Sequence, residues 1–113
     1  MLDHPSNLWR KELVHLLTLA AKYPMLLDAL LTDLLTPEEL ASMAQRWQII
    51  KKLSRGTPQR DIARSMGAGI ATVTRGSRML QNSQGGFRRV IAMILSVKRP
   101  TGLTQSWRNQ LTR

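Results

Sequence analysis

The sequence contains no cysteine, and this absence excludes two common ways of stabilising a small chain. Neither disulfide bonds nor thiolate metal sites can form without cysteine. The two histidines, His4 and His15, are also too few for a typical zinc site. We therefore expect no metal and no covalent cofactor, and a reducing cytosol is the natural setting.

Long hydrophobic runs are absent as well. The leucine-rich stretch over residues 13–35 is interrupted by His15, Lys22, Pro24 and two aspartates, which makes it too polar for a membrane span. The first eleven residues lack the basic region and apolar run of a secretory signal. These features predict a soluble, cytoplasmic protein that does not bind a membrane.

No cluster of catalytic residue types stands out. Catalysis needs a nucleophile with a base, a pair of carboxylates or a metal, and no such cluster is visible in the sequence. The turn Gly67-Ala68-Gly69 is glycine-rich like a nucleotide-binding loop, but it follows a predicted helix and lacks the lysine of a P-loop. We therefore predict no catalytic residues and no enzyme activity.

Acidic residues are scarce in the second part of the chain. Residues 1–39 have a net charge of −3, whereas residues 40–113 carry fourteen basic side chains and one acid, Asp61, for a net charge of +13. So basic a segment indicates a polyanionic partner, most commonly nucleic acid. The alternatives are a merely solvated basic surface and a non-specific binder of RNA or of a membrane surface. The basic residues that favour a non-specific binder are Arg88, Arg89, Lys98, Arg99, Arg108 and Arg113.

Apolar residues recur at helical spacing along the chain, and no strand pattern of useful length occurs. The length of 113 residues suits one domain. We predict an all-α fold with a single helical domain over residues 1–97 and a basic, partly disordered C-terminal tail over residues 98–113. The six expected helices span about residues 6–21, 25–32, 37–54, 59–66, 70–81 and 87–97.

The second of these helices has little polar surface, because Leu26, Leu27, Leu30 and Leu31 follow one another closely. Such a helix should be buried, and the stripe of the first helix that contains Trp9 also needs cover. One short chain has too little other surface to cover both of these apolar faces. We therefore expect an obligate homodimer in which these apolar faces lie between subunits.

Two helix starts carry clear signals. Thr36-Pro37-Glu38-Glu39 combines a capping threonine, a proline at the first helical position and a glutamate three residues after the cap. Thr57-Pro58 repeats the threonine and proline before the fourth helix. The sequence therefore predicts Thr36 and Thr57 as N-caps.

The two short helices over residues 58–81, joined by the glycine turn, have the pattern of a helix-turn-helix unit. In such a unit the second helix enters the major groove of DNA. Ile70 and Val73 are expected to hold that helix against the core, and the alternative is a structural helical hairpin. The predicted DNA-binding residues are Gln59, Arg60, Arg64, Ala68, Gly69, Ile70, Ala71, Thr72, Thr74 and Arg78.

Within this set, the chemistry of the side chains predicts a division of roles. Thr72 and Thr74 offer hydroxyls and methyls suited to base edges and water bridges, so they should help to select the DNA sequence. Arg60 and Arg64 should supply affinity through phosphates, and the loss of either should flatten the salt dependence.

The string GAGIATVTRGS at residues 67–77 strongly resembles the DNA-reading segment of the tryptophan repressor family. The resemblance extends to LLTPEELASMAQRWQIIKKL at residues 34–53 and covers, in helix order, about residues 8–96. It implies a six-helix, intertwined homodimer that binds palindromic operator DNA as a transcriptional repressor, with L-tryptophan as co-repressor.

The resemblance also implies a ligand site. Arg46 and Arg75 would flank the indole ring, Arg75 would meet the carboxylate, and Gly76 would leave room for the ring. Main-chain carbonyls near Leu35 and Thr36 would receive the amino group. The ligand-binding residues implied are Leu35, Thr36, Arg46, Ile49, Thr72, Arg75, Gly76 and Met79.

Several positions depart from the family pattern. Met79 stands where the family has a serine that can touch the amino group of the ligand, and Asp33 stands at an apolar position. Trp47 adds an aromatic ring beside Arg46, Ala63 replaces a lysine, and the loop before the fourth helix is one residue short. Three interpretations follow: a regulator that uses tryptophan, one that uses another small molecule, and one that is independent of any ligand.

Overall fold

The computed structural model describes residues 5–96, and within them the chain forms six helices and no strand, as the sequence predicts. The expected bounds of the third, fourth and fifth helices are confirmed, and those of the other three differ by one or two residues. The predicted basic tail, residues 98–113, lies outside the described residues. The helices are α1 (Pro5–Ala20), α2 (Pro24–Leu34), α3 (Pro37–Ser54), α4 (Gln59–Met66), α5 (Ile70–Gln81) and α6 (Gly86–Ser96).

Helix α3 begins with the capping box that the sequence predicts. The backbone N–H of Glu39 donates to the Thr36 hydroxyl at 3.1 Å, and the Thr36 N–H donates to the Glu39 carboxylate at 2.9 Å. The bond from the Thr36 N–H lowers the pKa of the Glu39 carboxyl below its ordinary value. This reciprocal pair fixes the residue at which α3 starts.

The predicted cap at Thr57 is wrong. Helix α4 has Pro58 as its N-cap, with φ −60° and ψ 143°, and no side chain caps it. The Thr57 N–H instead donates to the carbonyl of Lys52 at 3.1 Å, in the turn that closes α3. Because Thr57 takes part in ending α3, α4 begins one residue later than a threonine cap would require.

The chain forms two compact units, and the described part of the first covers residues 5–42. In it α1 packs against α2, and Ala20 is the one buried residue among those described. No residue of α2 is buried within a single chain, and Trp9 of α1 is 70% exposed. An apolar groove of about 430 Å³ between the two helices is lined by Leu16, Leu19, Ala20, Lys22, Tyr23, Leu26 and Leu30.

The described part of the second unit covers residues 43–96 and contains two apolar clusters. Ile49, Ile62 and Val73 form the first, which joins α3, α4 and α5. Ile50, Leu80 and Ile91 form the second, which joins α3, α5 and α6. The adjacent residues Ile49 and Ile50 of α3 thus belong to different clusters, and α4, α5 and α6 pack around α3.

One residue expected to contact the core is exposed. Ile70 is 51% exposed. Ile70 is the first residue of α5, so the core contacts of that helix begin one turn later, at Val73.

None of the helices within residues 5–96 is long and apolar enough to cross a membrane.

Candidate nucleic-acid interface and ligand cleft

Helices α4 and α5 are joined by the three-residue turn Gly67-Ala68-Gly69. Gly67 has φ +63°, in the left-handed region that favours glycine, and the Ala68 N–H donates to the carbonyl of Ala63 at 3.1 Å. Ile62 of α4 and Val73 of α5 are both fully buried, and they belong to the same apolar cluster. The turn and the shared core therefore fix the two helices as a helix-turn-helix element.

Most of the predicted DNA-binding residues lie on the accessible face of this element. Gln59, Ala68 and Thr74 are half-buried, and the remaining members of the set are exposed. Ile70 belongs with the exposed group, so its position fits the expected DNA contact and not the expected core contact. The exposed members are Arg60, Arg64, Gly69, Ile70, Ala71, Thr72 and Arg78.

Thr74 has a partner within the protein. Its hydroxyl donates to the side-chain oxygen Oε1 of Gln59 at 2.9 Å. Gln59 is the first residue of α4, and Thr74 lies in the second turn of α5. The hydrogen bond therefore ties the start of one helix to the middle of the other.

A cleft of about 220 Å³ lies in the second unit, with α3 on one side and α5 on the other. Six of the eight predicted ligand-binding residues line it: Arg46, Ile49, Thr72, Arg75, Gly76 and Met79. The other two, Leu35 and Thr36, belong to the first unit, and their contribution stays a prediction.

Ile50 and Phe87 also line the cleft, although the sequence did not point to either. Ile50 follows the predicted Ile49 directly, and its place shows only once α5 and α6 are packed on α3. Phe87 comes from α6, and its ring stacks on Trp47 with the centroids 6.5 Å apart and the planes at 27°. Trp47 and Phe87 both pack against the second apolar cluster, so this aromatic pair lies beside the cleft.

At Gly76 helix α5 lies close to side chains of α3. A Cβ atom at this position would lie 3.5 Å from side-chain atoms of Ile49, Ile50 and Leu53, which is ordinary van der Waals contact. A side chain of any length would therefore occupy the space between the two helices. Glycine here leaves that space to the cleft.

The charged groups around the cleft are cationic. Arg46 and Arg75 line it, both exposed, and none of the eight lining residues is acidic. The other lining residues are uncharged: Thr72, Gly76, Met79 and the apolar Ile49, Ile50 and Phe87. Guanidinium groups pair with carboxylates and stack on aromatic rings, so the cleft suits a small carboxylate with an apolar body.

A further concentration of positive charge lies at the end of α3. Lys51 is only 7% exposed, and burial lowers its pKa, with additional lowering from the neighbouring charges of Arg55 and Lys52.

Acidic, histidine or cysteine side chains do not gather in groups of three or more anywhere in residues 5–96, so this part of the chain offers no metal site.

The short helices α4 and α5 meet at a left-handed glycine, and α5 also lines a cationic cleft. This all-α architecture is that of the helix-turn-helix class of protein. Residues 9–95 match the family described as Trp repressor protein. Because the match covers most of the chain, the protein belongs to this family, whose members are regulators and not enzymes.

Individual relatives agree with this assignment. A Trp operon repressor homolog from Vibrio vulnificus is 46% identical over 55 residues, which make up 48% of this chain and 54% of the relative. Homologs of the same name from Vibrio parahaemolyticus and Pasteurella multocida are 38% and 43% identical over 69 and 59 residues. These matches cover 60% and 51% of this chain, and 67% and 58% of the two relatives. The chain thus spans between about half and two thirds of these relatives' length.

Proposed function

We propose that the protein is a sequence-specific DNA-binding transcriptional repressor that acts as a homodimer. Membership of the Trp repressor family supports this function. The net charge of +13 over residues 40–113 supplies the attraction for the phosphate backbone. The exposed start of α5, with the small residues Gly69 at its N-cap and Ala71 in its first turn, would allow the helix backbone to approach base edges.

The dimer accounts for the exposed apolar surface of the first unit. Ten large hydrophobic side chains between residues 8 and 34 are exposed in the single chain. A patch of that extent on a small protein marks an interaction surface. A second copy of the chain presents the same apolar helices, so a symmetric, intertwined pair would cover both sets at once.

We further propose that the cleft holds the co-repressor, and that L-tryptophan is this ligand. The observation that carries the proposal is that Arg46 and Arg75 line one cleft together with Thr72 and Gly76. Thr72, Arg75 and Gly76 lie on α5, the helix proposed to read DNA, so a ligand there can favour one orientation of that helix. By linkage, a hundredfold gain in DNA affinity requires about 2.7 kcal/mol of coupling.

A second candidate is a repressor that binds another small molecule or none. Met79 favours it, because this side chain lines the cleft with a thioether where the family pattern has a serine hydroxyl. A thioether is a poor partner for an ammonium group. If the missing hydroxyl limits tryptophan binding, Met79→Ser should strengthen it.

The test combines selection of DNA with calorimetry. The full chain is used to select from a pool of random duplexes, with and without L-tryptophan, and the ligand is titrated separately alongside other indoles and amino acids. We expect one enriched palindromic sequence, and tighter binding to it with L-tryptophan. Equal affinity for all duplexes would reject the regulator. Equal operator affinity with and without every amino acid, for wild type and Met79→Ser, would leave the ligand-independent repressor.

A further inference from the structure

The hydrogen bond between Thr74 and Gln59 changes what each side chain can offer to DNA. A threonine hydroxyl has one hydrogen, and Thr74 donates it to Gln59 Oε1 at 2.9 Å. Thr74 therefore keeps no donor for a base or a phosphate. Thr74 is half-buried, as Gln59 is, whereas Thr72, two residues earlier on the same helix, is exposed.

Gln59 gains a defined orientation from the same bond. Its amide is planar, so a fixed Oε1 also fixes the direction of the two N–H groups on Nε2. Gln59 lies in the first turn of α4, directly before the exposed Arg60. A glutamine held in one rotamer loses less side-chain entropy when it binds than a free one does.

We propose that Thr74 is a positioning residue, which holds Gln59 so that its amide N–H donates to a phosphate oxygen of bound DNA. This inference rests on the proposed DNA-binding function, and it gives Thr74 a different role from the one expected from the sequence. Thr74 supplies affinity through Gln59, and Thr72 is left as the threonine that selects the sequence. Because phosphates occur in every duplex, the contribution of Thr74 is the same for all sequences.

The experiment is a double-mutant cycle on duplex binding. Thr74→Val keeps the shape of the side chain and removes the hydroxyl, Thr74→Ser keeps the hydroxyl, and Gln59→Met keeps the length of the glutamine and removes its amide. We expect Thr74→Val and Gln59→Met each to weaken binding about tenfold, for preferred and random duplexes alike. Thr74→Ser should stay within about twofold of wild type, and the double variant should bind no more weakly than Gln59→Met alone.

Two further readouts separate positioning from a loss of folding. Thermal unfolding of each variant shows whether the helix pair is intact. The salt dependence of binding should keep its wild-type slope in Thr74→Val, because a neutral amide releases no counterion, whereas Arg60→Ala should reduce the slope by about one unit.

Different outcomes overturn different statements. Additive losses in the double variant, or a change of preferred sequence in Thr74→Val, would show that Thr74 contacts DNA directly and would reject the positioning role. Wild-type affinity in Thr74→Val would reject it too. A wild-type protein that binds all duplexes equally would reject the proposed regulator, while the cycle on random duplexes still decides the role of Thr74.

Discussion

The two compact units of the chain differ in how they obtain a core. In the first, over the described residues 5–42, Ala20 alone is buried, and the leucines of α1 and α2 remain partly or fully exposed. In the second, over residues 43–96, six hydrophobic residues are buried in two clusters. The charge differs as well, since residues 1–39 are net acidic and residues 40–113 strongly basic.

This difference shows that one chain can divide its tasks between regions. The second unit buries its apolar residues within the chain and keeps a basic, accessible face, as the proposed DNA interface requires. The first unit exposes apolar residues that water disfavours, so we expect its stability to depend on the proposed dimer partner that would cover them. A substitution on the apolar surface of the first unit should therefore change dimer formation. A substitution in the core of the second unit should change the free energy of unfolding.

The largest effect is expected from a charge placed on the exposed apolar surface of the first unit. Leu26→Asp should convert the proposed dimer to monomer, because burial of one leucine stabilises by about 1.5–3 kcal/mol and a twofold interface contains it twice. The dimer should weaken at least a hundredfold, by about 3–6 kcal/mol, as sedimentation equilibrium would show. Thr32→Asp adds the same charge at an exposed polar position of α2 and serves as the control. A wild-type chain that is monomeric and fully stable at micromolar concentration would contradict the dimer itself.

The core of the second unit should respond differently. Ile62 is fully buried between α4 and its neighbours, so Ile62→Ala should lower the free energy of unfolding by about 2–5 kcal/mol. Ile70→Ala, at an exposed position of the same helix pair, should cost about 0.5 kcal/mol or less. Urea denaturation at one fixed protein concentration measures both. Similar losses in the two variants would mean that Ile70 is covered in the assembled protein.

The cleft provides a smaller effect that leaves the fold intact. Arg46→Ala should weaken binding of L-tryptophan by about 0.5–2 kcal/mol, since it removes one of the two guanidinium groups expected to flank the indole ring. Calorimetric titration with L-tryptophan measures the change. Arg89→Ala removes an exposed arginine of α6 that is not among the cleft residues and should bind the ligand as wild type does. Equal losses in both variants would indicate a general effect of charge and not a contact.

The smallest effect concerns the cap of α3. Thr36→Ala should lower the free energy of unfolding by about 1 kcal/mol, while Thr18→Ala, which removes an exposed hydroxyl bonded to the Val14 carbonyl in the last turn of α1, should cost less. Because the pKa of Glu39 is lowered in the folded protein, its contribution is present above the ordinary carboxyl value of 4.5 and is lost as the pH falls through the lowered pKa. Glu39→Gln keeps an acceptor for the box and should remove this part of the acid dependence. An unchanged acid profile in Glu39→Gln would show that other carboxyls dominate it.

The sequence predicted local features well where the signals were themselves local. The bounds of α4 and α5 were correct, because the glycines at positions 67 and 69 act on the adjacent backbone. The capping box at Thr36 was correct for the same reason. Thr57 failed as a cap because its N–H is used by the end of the preceding helix, which a motif of two residues does not reveal.

The cleft residues that were predicted are those to which the family resemblance assigns a ligand role. Arg46, Arg75 and Gly76 were identified from the matched strings and do line one cleft. Phe87 and Ile50 were not, because membership of a cleft depends on which faces of α3, α5 and α6 meet. The exposure of Ile70 was missed for a similar reason, since helical spacing gives a stripe of apolar residues but not the point at which packing begins.

The sequence by itself determined the helical class, the family, the charge division and the helix-turn-helix segment, because composition, periodicity and turn chemistry depend on near neighbours along the chain. The tertiary structure decided which of the apolar residues are buried, that the side chains of Arg46, Met79 and Phe87 share one cleft, and that Thr74 donates to Gln59 fifteen positions away. Those facts depend on how helices pack, and packing joins residues whose separation in sequence carries no information about their distance in space.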